Sequence, residues 1–315
     1  MQLIRNRPEQ TDEAFAPRRS VVAIGNFDGV HLGHMALIDR CRKLAAGRDA
    51  VAVVTFEPLP MAFFRPENAP ARLSTVYQKL GLLQAAGVDI TWMMRFTQAF
   101  AALSAREFVE WILVRRLRAS HVVGGEDLRF GRGREGDVAL LRELGGEFDF
   151  RVEIIAAVMN GGERISSSGR RNSVAVGDFD KAGRWLGRPF RMEGHVIRGA
   201  GLGKKLGYPT ANLAIRAEPS PLSGVLAVFA RIEDGPWLPA VTNLGRRPAV
   251  GGKEPLLEVH FFDFDQDLYG KRLEVQFVAK LRDEFNFDSI DERVEQMIKD
   301  ETAARACLAK TGIPG

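Results

Sequence analysis

Short apolar runs alternate with amphipathic helical repeats through the first half of the chain. Val21-Val22-Ala23-Ile24 reads as a buried strand, and residues 35–46 as the helix that follows it. Residues 51–56 and 90–96 read as strands, with a helix over 74–86 between them. Ser104-Ala105-Arg106-Glu107 has capping-box spacing, and Phe108, Val109, Trp111, Ile112, Leu113 and Leu117 give the next helix its buried side. His121-Val122-Val123 is a short strand that leads into a glycine-rich turn. This β-α-β-α order predicts a parallel sheet with helices on both faces, whose ligands sit beyond the carboxyl ends of the strands.

The texture changes after about Asp180. Five β-rich segments, over 192–196, 225–232, 238–242, 256–264 and 273–281, are separated by Gly and Pro. Their spacing predicts an antiparallel barrel or sandwich. Ser289-Ile290-Asp291-Glu292 is a second capping-box sequence, opening a terminal helix whose apolar face carries Val294, Met297, Ile298 and Leu308. The seam between the halves is expected near residues 183–190, giving domains 1–184 and 185–315.

At 315 residues, the chain has the length of about two domains. Its 45% hydrophobic and 27% charged content is that of a soluble globular protein. It has no apolar run of about eighteen residues, and residues 1–6 lack the apolar core of a secretory signal, so no membrane association is expected. Cys41 and Cys307 are far apart and outside any CxxC pair, which predicts two buried, reduced thiols and a cytoplasmic protein. A net charge of +4 is too small to argue for a nucleic-acid partner.

The first chemical signal is Gly25-Asn26-Phe27-Asp28-Gly29-Val30-His31-Leu32-Gly33-His34, where a strand hands over to a helix. Backbone N–H groups at a helix N-terminus, with the positive end of its dipole, suit phosphate. Glycines such as Gly25 let the backbone approach a ligand, and the imidazoles of His31 and His34 can donate to phosphoryl oxygens as charge builds. A zinc pair is disfavoured, because the chain has only five His and two Cys and no third ligand at metal spacing. Thr55-Phe56-Glu57-Pro58 ends a strand, so its polar groups are expected to reach the same crevice. Gly124-Gly125-Glu126-Asp127-Leu128-Arg129 forms a strand-exit loop there. Ile165-Ser166-Ser167-Ser168 with Arg170-Arg171 reads as a loop of hydroxyls and guanidiniums suited to an anion.

The second signal runs from Gly199 through Gly201, Gly203 and Lys204 to Tyr208-Pro209-Thr210-Ala211-Asn212. Glycines expose amides to phosphate, Lys supplies point charge, and the oxygens of Thr210 and Asn212 are hard ligands suited to Mg²⁺. The order is not that of a Walker A loop. Downstream, Glu258 and His260 share one face of a strand while Val259 and Phe261 occupy the other, which places a carboxylate at a barrel mouth as a candidate base for a substrate hydroxyl.

In order and spacing, these segments resemble the bacterial bifunctional riboflavin kinase/FAD synthetases. The GxFDGxHxGH, TFEPxP, G(E/F)(D/N)FxFG and ISSTxxR-type patterns of that family's adenylyltransferase module match the first half. Its G-x-x-x-G-(R/K)-x-L-G-x-P-T-A-N, N-x-G-x-R-P and E-V-H-x-x-D-F-x-x-D-L-Y-G patterns match residues 199–212, 243–248 and 258–270. The resemblance implies a Rossmann-like nucleotidyltransferase sheet followed by a riboflavin kinase-like barrel with a terminal helix. It implies two reactions with Mg²⁺ and ATP as co-substrate: riboflavin to FMN, then FMN to FAD with release of pyrophosphate. By the same resemblance His31 and His34 stabilise phosphate charge, and Asp28 positions the ribose or phosphate end. Asp127 lies in the nucleotide/flavin pocket, while Ser166, Ser168 and Arg171 hold the triphosphate. In the second half Thr210 and Asn212 hold Mg²⁺–ATP, and Glu258 is the base on the ribityl 5′-hydroxyl. Departures stand at Leu59 for a His, Leu128 for an aromatic, Gly169-Arg170 for Arg-Ile, Lys204 for Arg, Leu226 for Tyr and Ala249-Val250 for Thr-Phe. Those at 226 and 249–250 are expected to loosen the flavin or nucleotide pocket. A flavin-binding regulatory protein with decayed sites is the alternative these substitutions leave open, and the retained His31, His34, Thr210, Asn212 and Glu258 oppose it.

Overall fold

The structure, a computed structural model, describes every residue except 6–18, 161, 166, 200–202, 204–205, 216–219, 247–254, 286 and 315. The chain divides into two compact units, Met1–Pro70 with Val76–Ile165 and Ala71–Thr75 with Ser166–Gly315.

The first unit runs β1 (Gln2–Ile4), β2 (Ser20–Ile24), α1 (Leu32–Ala45), β3 (Ala50–Glu57), α2 (Pro60–Phe64), α3 (Val76–Ala85) and β4 (Ile90–Arg95). It continues through α4 (Gln98–Ala101), α5 (Ala105–Phe108), β5 (Ala119–Gly125), α6 (Val138–Glu147), β6 (Arg151–Ile155) and a small hairpin, β7 (Met159–Asn160) with β8 (Glu163–Arg164). Six parallel strands stand in the order β1-β4-β3-β2-β5-β6. The chain steps outward from β2 through β3 and β4, then returns to lay β5 and β6 on the other side of β2. The order therefore reverses between β2 and β5, where open α/β sheets leave a crevice at the carboxyl ends of their strands.

Alternation along the strands feeds two apolar layers. Val21, Ala23, Val51 and Val53 pack with Ile38, Cys41 and Leu83 on one face. Val22, Ile24, Ala52 and Val54 pack with Phe108, Ile112, Leu113 and Leu141 on the other. A parallel sheet covered on both faces needs such unbroken apolar runs. Ser104 and Glu107 cap α5 reciprocally, as the spacing predicts, and the helix then continues in π winding over Val109–Arg116. Trp111 departs from the predicted buried side: it is 37% exposed, whereas Val109, Ile112 and Leu113 are buried.

The second unit holds α7 (Ser167–Ala175), α8 (Phe179–Leu186), β9 (Arg191–Ile197), β10 (Ala211–Ala214), β11 (Gly224–Ile232), β12 (Trp237–Arg246), β13 (Pro255–Phe261), β14 (Arg272–Arg282) and α9 (Ile290–Thr311). The six strands close an antiparallel barrel in the order β10-β13-β12-β11-β14-β9, sealed by pairing of β9 with β10. The barrel is filled, not hollow: Leu213, Leu226, Val228, Leu244, Leu257, Val259 and Val275 are completely buried in one cluster. On the outer wall, Ala304 and Leu308 of α9 cover Ala227, Phe229, Trp237 and Phe262.

Three expectations are corrected in this unit. The serine–arginine stretch is helical, not a loop; Gly169 and the polar run around it hide a helix whose buried side is Ser173 and Val174. At α9, Ser289 accepts from the Glu292 N–H, but the Glu292 carboxylate takes the Asp288 N–H, so the cap is one-sided. Ile298 is 51% exposed, and the buried stripe of α9 is Asp300, Ala304 and Leu308.

Cys41 is buried and Cys307 half-buried, and neither forms a disulfide. Burial pushes the Cys41 thiol up to about 12. Thiolate is the reactive form, so iodoacetamide at neutral pH is expected to leave Cys41 unmodified in the folded chain and alkylate it after denaturation, as read by mass spectrometry.

Candidate functional site

The loop between β2 and α1 lies at the order reversal of the sheet. His31 is the N-cap of α1, and its Nδ1 accepts the His34 N–H at 3.2 Å. The His31 N–H in turn donates to His34 Nδ1 at 3.3 Å. Reciprocal caps usually pair a hydroxyl with a carboxylate; here two imidazoles do both jobs. Because each Nδ1 accepts a proton, the neutral rings carry theirs on Nε2, and both are held as Nε2–H donors. The rings stack with centroids 3.5 Å apart, and Phe27 lies 4.7 Å from His34. The histidines are 7% and 8% exposed and Asp28 1%. A Cβ on Gly33 would stand 3.0 Å from Cε1 and Nδ1 of His31, so only glycine leaves the stacked ring in place. Gly33→Ala is therefore expected to unseat the His31 cap and lower the melting temperature, measured by a circular-dichroism melt against the wild type.

The loop backbone is held in unusual dihedrals. Phe27 and Val30 have φ of 48° and 36°, a region that L side chains rarely adopt. Gly25 donates its N–H to Val54 O at 3.1 Å. Thr55 does not open onto the crevice as predicted: it is fully buried, and its hydroxyl donates to Asn26 O at 2.9 Å. Lys79, which the sequence reading missed, is also fully buried and donates to the same carbonyl at 3.1 Å. Its signal was a charge on the apolar face of α3, one residue before Leu80 and four before Leu83. Asp127 sits in an exposed turn after β5, and Leu128 packs over Gly124. Leu59 is 3% exposed, consistent with an apolar residue there.

Of the serine–arginine stretch, Ser166 lies outside the described residues, and Ser168 and Arg171 fall on α7 in the second unit. Arg171 Nε donates to the carbonyl of Ala71, which belongs to the same unit.

On the barrel, Leu257, Val259 and Phe261 of β13 point into the core, so Glu258 and His260 face outward. The carboxylate thus stands on the outer wall and not at the mouth. In register, Glu258 has Asn212 on one side and Asn243 on the other, making a polar row across three strands. These three residues line a cavity of about 710 Å³, with Tyr208 and Thr210 on one side and α9 on the other. Asn212 Oδ1 is buried and makes no hydrogen bond among the described residues. His260 Nδ1 lies 2.8 Å from the Pro209 carbonyl, which can only accept, so the ring donates there and ties β13 to the loop before Thr210. Burial pushes the Tyr208 phenol up from its ordinary value, keeping it protonated.

The far wall is fixed by Arg282, whose Nε and Nη2 grip the Asp300 carboxylate at 2.7–3.1 Å while its guanidinium lies 4.4 Å over Phe285. Gly203 accepts from the N–H groups of Leu206 and Tyr208, and a Cβ there would meet Tyr208 O at 2.3 Å. Gly201, Lys204 and Ala249-Val250 lie outside the described residues. Leu226 is not a pocket residue; it is completely buried in the barrel core.

Fold and geometry together define an α/β protein of two compact units, with a cluster of buried or half-buried polar side chains on each. The FAD synthetase family model matches residues 14–169, and the riboflavin kinase family model matches residues 186–308. The bifunctional riboflavin kinase/FMN adenylyltransferase of Escherichia coli strain K12 is 42% identical over 92% of this chain and 93% of its own. That of Pseudomonas fluorescens is 43% identical over 98% of both. A crystal structure described as a macrolide-efflux protein from Streptococcus pneumoniae has a TM-score of 0.78 at 29% identity, covering 97% of this chain and 99% of that one. The chain belongs to the bifunctional riboflavin kinase/FMN adenylyltransferase family. Among the described residues, no helix is long and apolar enough to cross a membrane.

Proposed function

We propose that this chain phosphorylates riboflavin to FMN on the barrel and adenylylates FMN to FAD on the parallel sheet, using ATP each time. Supporting this above all is that the His31–His34 loop stands on the parallel-sheet unit, where the strand order reverses, whereas Thr210, Asn212 and Glu258 line a cavity on the barrel unit. Functionally, residues 1–184 are assigned to adenylyl transfer and 185–315 to the kinase.

In adenylyl transfer the phosphate of FMN attacks the α-phosphorus of ATP, and pyrophosphate leaves. The Nε2–H groups of His31 and His34, with the N-terminus of α1, bear on oxygens whose charge rises in that step. Gly25 lets the backbone come close, Asp28 and Asp127 serve the nucleotide and flavin, and Ser166, Ser168 and Arg171 the triphosphate.

In the kinase, Glu258 takes the proton of the ribityl 5′-hydroxyl as that oxygen attacks the γ-phosphorus of ATP, whose bond to the β–γ bridging oxygen breaks so that ADP leaves. Gly201, Gly203 and Lys204 cradle the phosphates. Thr210 and Asn212 suit Mg²⁺, since a buried oxygen without a hydrogen bond is what a hard cation takes up. When bound, that ion supplies charge neutralisation at the phosphates. The unpaired Cys41 and Cys307 support a cytoplasmic location.

Purified protein given riboflavin, ATP and Mg²⁺ is expected to yield FMN and then FAD by chromatography. FMN without FAD would leave only the kinase, and no turnover would return the decayed-site alternative.

A further inference from the structure

A lysine with no solvent exposure at all is costly to fold unless its ammonium is hydrogen-bonded. Lys79 on α3 is such a residue, and its Nζ donates to Asn26 O at 3.1 Å and approaches Thr55 Oγ1 at 3.4 Å. Thr55 Oγ1 itself donates to Asn26 O at 2.9 Å. One backbone carbonyl therefore collects donors from β3 and from α3.

Asn26 is the residue immediately before Phe27, and Phe27, Gly29 and Val30 all have positive φ, at 48°, 72° and 36°. Two of these are L side chains in a backbone region they avoid, one of them β-branched. Such dihedrals persist only where the surroundings over-determine them, and they gather where a loop must hold one geometry. The loop ends at His31, whose ring is seated by the cap it shares with His34. The knot at Asn26 anchors the start of the loop, the imidazole cap anchors its end, and the strained residues lie between.

We propose that Lys79 is a positioning residue for adenylyl transfer: by holding the Asn26 carbonyl from beneath, it fixes the strained loop that presents Asp28, His31 and His34. The inference rests on the assignment of adenylyl transfer to this site. Lys79 is a positioning residue only, and its effect passes through the loop backbone. It follows that its loss impairs the geometry reached in the transition state more than the binding of ATP or FMN.

The test uses the full chain and measures kcat and KM for FAD formation from supplied FMN, with FMN formation from riboflavin as internal control. Lys79→Met is expected to lower kcat by about 10–100-fold, to move KM for ATP and FMN by less than about threefold, and to leave FMN formation unchanged. Lys79→Arg, which keeps a donor, is expected to recover part of the loss. A Lys79→Met enzyme with wild-type kcat, or one whose loss lies wholly in KM, overturns the proposal. If Lys79→Met does not fold, Thr55→Val removes the other donor to the same carbonyl: a fall in kcat at constant KM supports the proposal, and unchanged kcat overturns it. His31→Ala is measured alongside. If that variant too keeps full activity, the assignment of the site has failed; if it alone is impaired, only the role of Lys79 has.

Discussion

Glu258→Gln is expected to slow FMN formation by roughly 10²–10⁴-fold while FMN supplied from outside is still converted to FAD at the wild-type rate. The residue projects from the outer wall of the barrel between Asn212 and Asn243, into the cavity that the loop before Thr210 and the start of α9 enclose. Glutamine keeps its shape and its place in the strand but cannot take up the hydroxyl proton. Losing a general base costs roughly 10²–10⁴-fold. Phosphoryl transfer leans mainly on positioning and charge, so a small residue of turnover is expected, not none. The measurement is a chromatographic time course with two starting materials, riboflavin and FMN. A variant impaired equally from both would refute the division of labour between the two units.

His31→Ala is expected to lower FAD formation by about 10²–10³-fold, the usual cost of losing a donor aimed at developing charge. FMN formation should not change. Alanine also removes the N-cap of α1, worth about 1 kcal/mol, so activity and stability fall together and the cause is ambiguous. His31→Asn separates them. Asparagine is a good N-cap that can still accept the His34 N–H, yet it has no Nε2–H at the distance an imidazole reaches. Thermal melts of His31→Asn are expected to return towards the wild type while FAD formation stays as low as in His31→Ala. If activity returned with stability, the imidazole would be serving only the helix.

The parallel sheet was legible because a sheet buried on both faces must be built from unbroken apolar runs such as Val21 to Ile24, and helical repeats separate them along the chain. The outward face of Glu258 and His260 was legible from alternation alone, although not that the face is an outer wall, since that depends on where α9 packs. β10 escaped notice because it is short and carries Asn212, which reads as loop. α7 escaped because its apolar residues are confined to its last turn, with Gly169 near its start. Both are tertiary decisions: β10 exists because β9 and β13 need a partner between them, and α7 because Val174 finds a buried seat. Lys79 was missed for a third reason. Sequence patterning assigns charges to solvent, and only the position of the Asn26 carbonyl explains one that is not.

The filled barrel has a consequence for how this catalyst can change. Its lumen is packed with apolar side chains, and the residues proposed for its chemistry stand outside, on alternate positions of the same strands. Repacking inside, as in Leu257→Ile or Val275→Ile, should shift the melting temperature while the Michaelis constant for riboflavin stays put. Heat tolerance and substrate preference can therefore drift along separate lines of descent, each written on every second position of one ribbon.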